Sequence, residues 1–255
     1  MDKKMKKALI VYGGWDGHDP VGVSNVFKTM LESEGYGVEM SDTLEVYADN
    51  KKLKEMDLII PHWTMGELDL DQLESVLDAV ASGVGIAGCH AGLCDAFHDR
   101  PDWHWMAGAQ FVSHPGGQHL DYTVNITSKT SIITEGIEDF SVSSELYYLQ
   151  VDPAVEVLAT TRVPVGDGPF TPMDHVNVNR DFGFGEWLFD GKKEQHEFNY
   201  TNPHLSNKAV DMPVMYTKMW GKGKVFYCSL GHDSDMLKKE PLSTVMKRGL
   251  LWASR

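Results

Sequence analysis

Residues 8–12, 57–61 and 84–88 are short, almost uninterrupted apolar runs separated by helical patterns, and this alternation limits the possible folds more than any other feature of the chain. A strand that lacks a polar face has to be covered on both sides. Between the first two runs, Val23, Val26, Phe27, Met30 and Leu31 recur three and four residues apart, which marks one face of a helix. Asp19 is placed to cap that helix and Pro20 to occupy its first turn. Gly35 and Gly37 end it, and residues 38–41 supply a second short strand. From Asp69 the helical spacing returns at Leu70, Leu73, Val76, Leu77 and Val80, closing at Gly83. Strands and helices in this order predict an α/β fold, a doubly wound, mostly parallel sheet with helices on both faces.

The second half is less regular. Residues 121–126, 140–149 and 155–161 read as strands, and 212–219 with 224–229 as a hairpin turning on Trp220-Gly-Lys-Gly223. Residues 241–253 read as a closing helix. Residues 162–211 have no clean period and are rich in Gly, Asn, Pro and aromatics, the composition of a lid, an interface or a disordered insert. We take the 255 residues as one domain, 1–255, carrying that insertion.

Charge and cysteine content narrow the partners. A formal net charge of −14 argues against nucleic acid and anionic membrane surfaces. No apolar run approaches the ~20 residues that span a bilayer. The basic start, residues 1–7, precedes too short an apolar run for a secretory leader and reads as a lead-in to the first strand. Three cysteines, Cys89, Cys94 and Cys228, do not make a disulfide framework, so the cytoplasm is the expected compartment.

Ligands of open parallel sheets sit beyond the carboxyl ends of the strands. Here those ends carry histidine: His18 after the first strand, His62 after the third, His90 after the fourth and His232 after the last. A single such imidazole is ordinarily structural, but four strand ends on one edge point to a shared pocket. Imidazole serves as acid, base or metal ligand, so residue type alone does not choose among these roles. The most specific motif is Gly88-Cys89-His90-Ala91-Gly92, which has the G-x-Nu-x-G form of a nucleophile elbow with His90 at its centre. Cys89 is then expected to face the core, and Cys94 is a weak candidate nucleophile. His62, Trp63 and His114 are further candidates for substrate contact. Zinc spacings such as H-E-x-x-H are absent from the sequence, yet His18, His90 and His232 could together hold a divalent metal such as zinc.

Gly13-Gly14 with His18, the elbow at His90, Ser144-Glu145-Leu146-Tyr147 and Gly223-Lys-Val-Phe-Tyr-Cys-Ser-Leu-Gly-His232 occur in the order found in ThuA-like (trehalose-utilisation) proteins. The chain resembles that family over residues 7–253, and the resemblance implies a flavodoxin-like, class I glutamine amidotransferase-like fold. Glutaminases of this fold have cysteine where His90 stands and a later His-x-Glu. Here the later motif is His232-Asp233-Ser234-Asp235, and without a thiolate at the elbow no thioester forms, which argues against glutamine hydrolysis. The family's usual Asp-Glu-Leu-Tyr is Ser144-Glu145-Leu146-Tyr147 here, which leaves Glu145 as a lone carboxylate. The resemblance implies a small-molecule carbohydrate, a sugar or keto-sugar derived from a trehalose-type disaccharide. In one reading His90 or Glu145 removes a proton beside a carbonyl while His18 and His232 polarise oxygens. A metal-dependent hydrolase on the same histidines and a non-catalytic sugar-binding protein are the alternatives, and a homo-oligomer is left open.

Overall fold

The computed structural model describes residues 5–114, 119–163 and 208–255. Chain order in the first half is β1 (Lys7–Gly13), α1 (Pro20–Glu32), β2 (Gly37–Ser41), α2 (Asn50–Glu55), β3 (Leu58–Trp63), α3 (Leu70–Ser82), β4 (Gly85–Cys89), α4 (Ala91–Cys94) and α5 (Pro101–Ala107). The second half supplies β5 (Ala109–Ser113), β6 (Leu120–Ile126), β7 (Phe140–Ser144), β8 (Tyr148–Val151), β9 (Glu156–Val163), β10 (Val210–Trp220), β11 (Gly223–Cys228), α6 (Ser234–Leu237) and α7 (Leu242–Ala253). Nine strands form one sheet in the order β2-β1-β3-β4-β11-β10-β9-β6-β7, with β5 and β8 paired apart from it.

The expected α/β architecture is present. β2, β1, β3, β4 and β11 run parallel, and β10, β9, β6 and β7 extend the sheet antiparallel. The central parallel strands are apolar because both faces are covered: Ala8, Leu9, Ile10, Val11, Ile59, Ile60, Ile86 and Ala87 are all buried. α1 packs against α7, while α3 packs against α2 and α5. The chain leaves β1 to form β2 on one side and returns to form β3 on the other. The crevice between the ends of β1 and β3 is therefore the topological switch point, where this architecture places ligands.

Two expectations are corrected. Residues 140–149 form two strands, because Ser144, Glu145, Leu146 and Tyr147 are all buried and break the in–out alternation. At that break the chain leaves β7, paired with β6, for β8, paired with β5. The elbow leads into a single helical turn, α4, and Trp103 follows in α5. Finally, β3 continues to Trp63, so His62 lies within the strand rather than beyond it. Most of the 162–211 stretch lies outside the described residues. Its two ends are strand, with Arg162 opposite Asp211 and Val163 opposite Val210. No helix among the described residues is long and apolar enough to cross a membrane.

Candidate functional site

The turn after β4 has the backbone of a nucleophile elbow. His90 adopts φ 49° and ψ −124°, a region that L-residues rarely visit and that costs on the order of 1–3 kcal/mol. Its backbone is held from both sides: its N–H donates to the Cys228 carbonyl at 2.7 Å, and its carbonyl accepts from the Tyr227 hydroxyl at 2.8 Å. The flanking glycines are required by space. A Cβ at Gly88 would lie 2.8 Å from the Leu93 Cβ, and one at Gly92 would lie 2.7 Å from the Pro61 carbonyl oxygen. Cys89 faces the core as expected, and burial pushes its thiol up. Cys94 is also buried, its thiol pushed up to about 12 chiefly by burial, and it sits 3.2 Å from the Tyr216 hydroxyl, which removes it as a nucleophile.

The His90 ring is fixed as firmly as its backbone. Nδ1 lies 2.9 Å from the Ser229 carbonyl oxygen, which can only accept, so Nδ1 carries the hydrogen. The ring stacks on Tyr147, centroids 4.2 Å apart at 29°. In the neutral ring Nε2 is then a bare lone pair, and what faces it is unusual. Glu145 Oε2 lies 3.1 Å away and His232 Nδ1 3.2 Å away, with 3.8 Å between those two. His18 completes the group, its ring centroid 4.7 Å from that of His90 and 5.0 Å from that of His232. His18 Nδ1 is paired with Thr64 Oγ1 at 2.8 Å, which leaves its Nε2 as the second nitrogen. One ligand atom from each of His18, His90, Glu145 and His232 lies within 4.8 Å of all the others.

Acceptor atoms this close repel unless a proton or a cation sits between them. A tetrahedral zinc site with bonds of ~2.0–2.1 Å has ligand-to-ligand spacings of about 3.3 Å, close to the three distances around His90. Carbonyl or hydroxyl partners on the far nitrogens, as Ser229 and Thr64 are here, are the usual means of orienting metal-bound imidazoles. The four residues therefore fit a divalent transition metal. Burial alone would raise the Glu145 carboxyl, but the hydrogen bond from His90 and the nearby charges of His90, His114 and His232 outweigh it and hold it at about 2. Burial, then the neighbouring imidazoles, pushes His18 well down, and burial with His90 lowers His232. The site accordingly presents an ionised carboxylate beside two imidazoles, His18 and His232, that resist protonation.

Three of the four histidines expected at strand ends thus meet, together with Glu145. His62 does not join them. It is 1% exposed, its Nε2 lies 3.4 Å from the His18 carbonyl oxygen, and burial pushes it down to about 4. It braces the His18 loop from beneath. Trp63, the next residue along β3, points to the other face of the sheet. It lines a separate groove with Asp42, Leu44 and Glu67. His114 is buried and stacks on Phe111, which in turn packs on Tyr147, so it lies behind the cluster without being one of the four.

Thr64, Ser229 and Tyr147 escaped the sequence reading as site residues, although Tyr147 stands in the quoted Ser-Glu-Leu-Tyr motif. Asp19 does more than cap α1. One carboxylate oxygen accepts from Gly22 N at 3.1 Å and the other from Ser234 N at 3.2 Å, joining the loops that carry His18 and His232. Asp19→Ala should cost about 1–2 kcal/mol for the lost cap. It should also weaken zinc binding about tenfold, within the range for residues that orient ligands. Thermal melts and a zinc titration check both, and an unchanged affinity would show that the two loops hold their places without this link.

A mostly parallel sheet of this order, with a strained elbow histidine beyond the end of one of its central strands, defines the class: a flavodoxin-like α/β protein. The chain belongs to the ThuA (trehalose utilisation) family, whose model matches residues 7–253. Among solved structures, it is similar to a ThuA-like protein from Bacteroides uniformis, with 17% identity, TM-score 0.67, and coverage of 99% of this chain and 94% of that one. A ThuA-like protein from Parabacteroides merdae gives 16% identity, TM-score 0.68, and coverage of 98% and 90%. A cytoplasmic protein from Salmonella typhimurium LT2 gives 12% identity, TM-score 0.61, and coverage of 98% and 100%. No curated protein matches.

Proposed function

We propose that the protein is a carbohydrate-processing enzyme in which His18, His90, Glu145 and His232 hold a divalent transition metal, zinc or a similar ion. The convergence of His90 Nε2, Glu145 Oε2 and His232 Nδ1 within 3.1–3.8 Å carries this reading, since only a proton or a cation reconciles those atoms. The family description, trehalose utilisation, supports a sugar or keto-sugar related to a disaccharide as substrate.

Bound there, the ion would supply a Lewis acid for a hydroxyl or carbonyl oxygen. The chain's own residues do the remainder. Buried His18, His90 and Glu145 fix the geometry and exclude water, and the carboxylate offsets positive charge. The His232 side chain is 23% exposed, the most open of the four. It is the group that meets solvent and substrate, and its Nε2–H, on the nitrogen not turned to His90, would donate a hydrogen bond to a substrate oxygen. Proton transfer beside a sugar carbonyl, or hydrolysis assisted by the same groups, is the chemistry this set performs.

A panel of trehalose-type disaccharides and their oxidised keto derivatives, incubated with metal-loaded and chelator-treated protein, tests the proposal. Turnover confined to the loaded protein is expected. No turnover at full metal occupancy would reduce the protein to a binding module, and equal turnover after chelation would assign the chemistry to a protonated His90–Glu145 pair.

A further inference from the structure

A second set of polar groups lies away from the histidine cluster, where α5 meets β5 and β8. His104, on α5, is 7% exposed. It lines a cleft of about 330 Å³ together with Trp105, Gln110, Gln150 and Asp152. That volume falls within the usual range of small-molecule sites, about 300–1,000 Å³. The two glutamines stand opposite each other across the β5–β8 pair. Trp105 is 61% exposed although its indole packs edge-on against Trp220, centroids 5.2 Å apart.

The cleft is built rather than incidental. Buried Lys218 donates both to Asp152, at 2.6 Å, and to the Trp105 carbonyl, tying the helix bearing the indole to the strand bearing Gln150. The same pairing neutralises Asp152. Gly108 makes the close approach possible, because a Cβ there would lie 3.1 Å from the Lys218 side chain and its φ is +90°. Asp152 N–H in turn donates to the Gly108 carbonyl at 2.9 Å.

We infer that this cleft is a second binding site, for a neutral saccharide. An exposed indole offers a flat apolar surface to the C–H face of a pyranose ring. The two amides, on Gln110 and Gln150, offer paired donors and acceptors to adjacent hydroxyls. The lining carries no net charge to favour an anion or a cation: the carboxylate is paired, and burial, then the neighbouring His98, pushes the His104 imidazole down to about 4, neutral under ordinary conditions. The inference rests on these groups alone and stands or falls separately from the metal reading.

Calorimetric titration of the full chain with trehalose and with glucose, run beside tryptophan fluorescence, tests it. Saccharide binding should survive chelator treatment and be weakened at least tenfold in Trp105→Ala and Gln150→Ala, both at exposed positions. Binding lost on chelator treatment but untouched in Trp105→Ala would place all recognition at the histidine cluster and overturn the inference. So would the absence of saccharide binding at millimolar concentration, or sedimentation showing that a second copy of the chain covers Trp105.

Discussion

Replacing His90 with alanine is expected to remove turnover and to weaken zinc binding by at least 100-fold, more than the loss of an orienting partner costs. The substitution deletes the one atom that touches both Glu145 and His232, at 3.1 and 3.2 Å. It also leaves the Ser229 carbonyl without its donor and Tyr147 without its stacking partner, for about 1–3 kcal/mol of stability. His232→Ala separates the two consequences. Its ring is partly exposed, so the metal should be lost to a similar degree while the melting temperature changes little. Equal and large stability losses in both variants, with zinc binding intact, would mean that the cluster is a structural knot.

The second large effect is acid lability of the metal-free chain. Burial pushes His62 and His104 down to about 4, from ordinary values near 6.5, and lowers His18 and His232 in the same direction. Between pH 6.5 and 4 the unfolded chain therefore binds protons that the folded chain refuses. Stability is full above the unfolded value and falls with pH, by about 1.4 kcal/mol per pH unit for each such histidine. His62 and His104 alone should remove about 3 kcal/mol each over that interval. Glu145, held at about 2, adds a further loss as pH drops below the ordinary carboxylate value. His98 works the other way: its hydrogen bond to Asp95 raises it, so its contribution is full in acid and is lost as pH rises through its folded value. Denaturant midpoints measured from pH 7.5 to 4 should drop with a slope of two or more protons, His62→Gln should reduce that slope by about one, and added zinc should move the loss to lower pH. A flat profile in the metal-free protein would contradict the burial of these imidazoles.

Much of the site could be read from the sequence because its determinants are local. Gly88-Cys89-His90-Ala91-Gly92 encodes a strained turn within five residues, and the structure shows that turn. His18 and His232 followed from the rule that ligands gather at strand ends, which needs only the strand assignments. Glu145 was visible through its motif, but not the reason it reaches His90: four consecutive buried residues break the strand and carry the chain inward. His62 and Trp63 misled because β3 runs beyond Pro61, and two extra strand residues turn one ring under the His18 loop and the other to the opposite face. Thr64, Ser229 and the Asp19–Ser234 link are contacts across 46, 139 and 215 residues, which no local pattern records.

Zinc titration of the chelator-treated chain by calorimetry, with elemental analysis of the loaded protein, bears on the four-residue cluster most directly. One ion per chain is expected, with binding strongly reduced in His90→Ala and in Glu145→Gln. A chain that takes up no zinc, manganese or cobalt, or one whose uptake is the same in both variants, would contradict the metal centre.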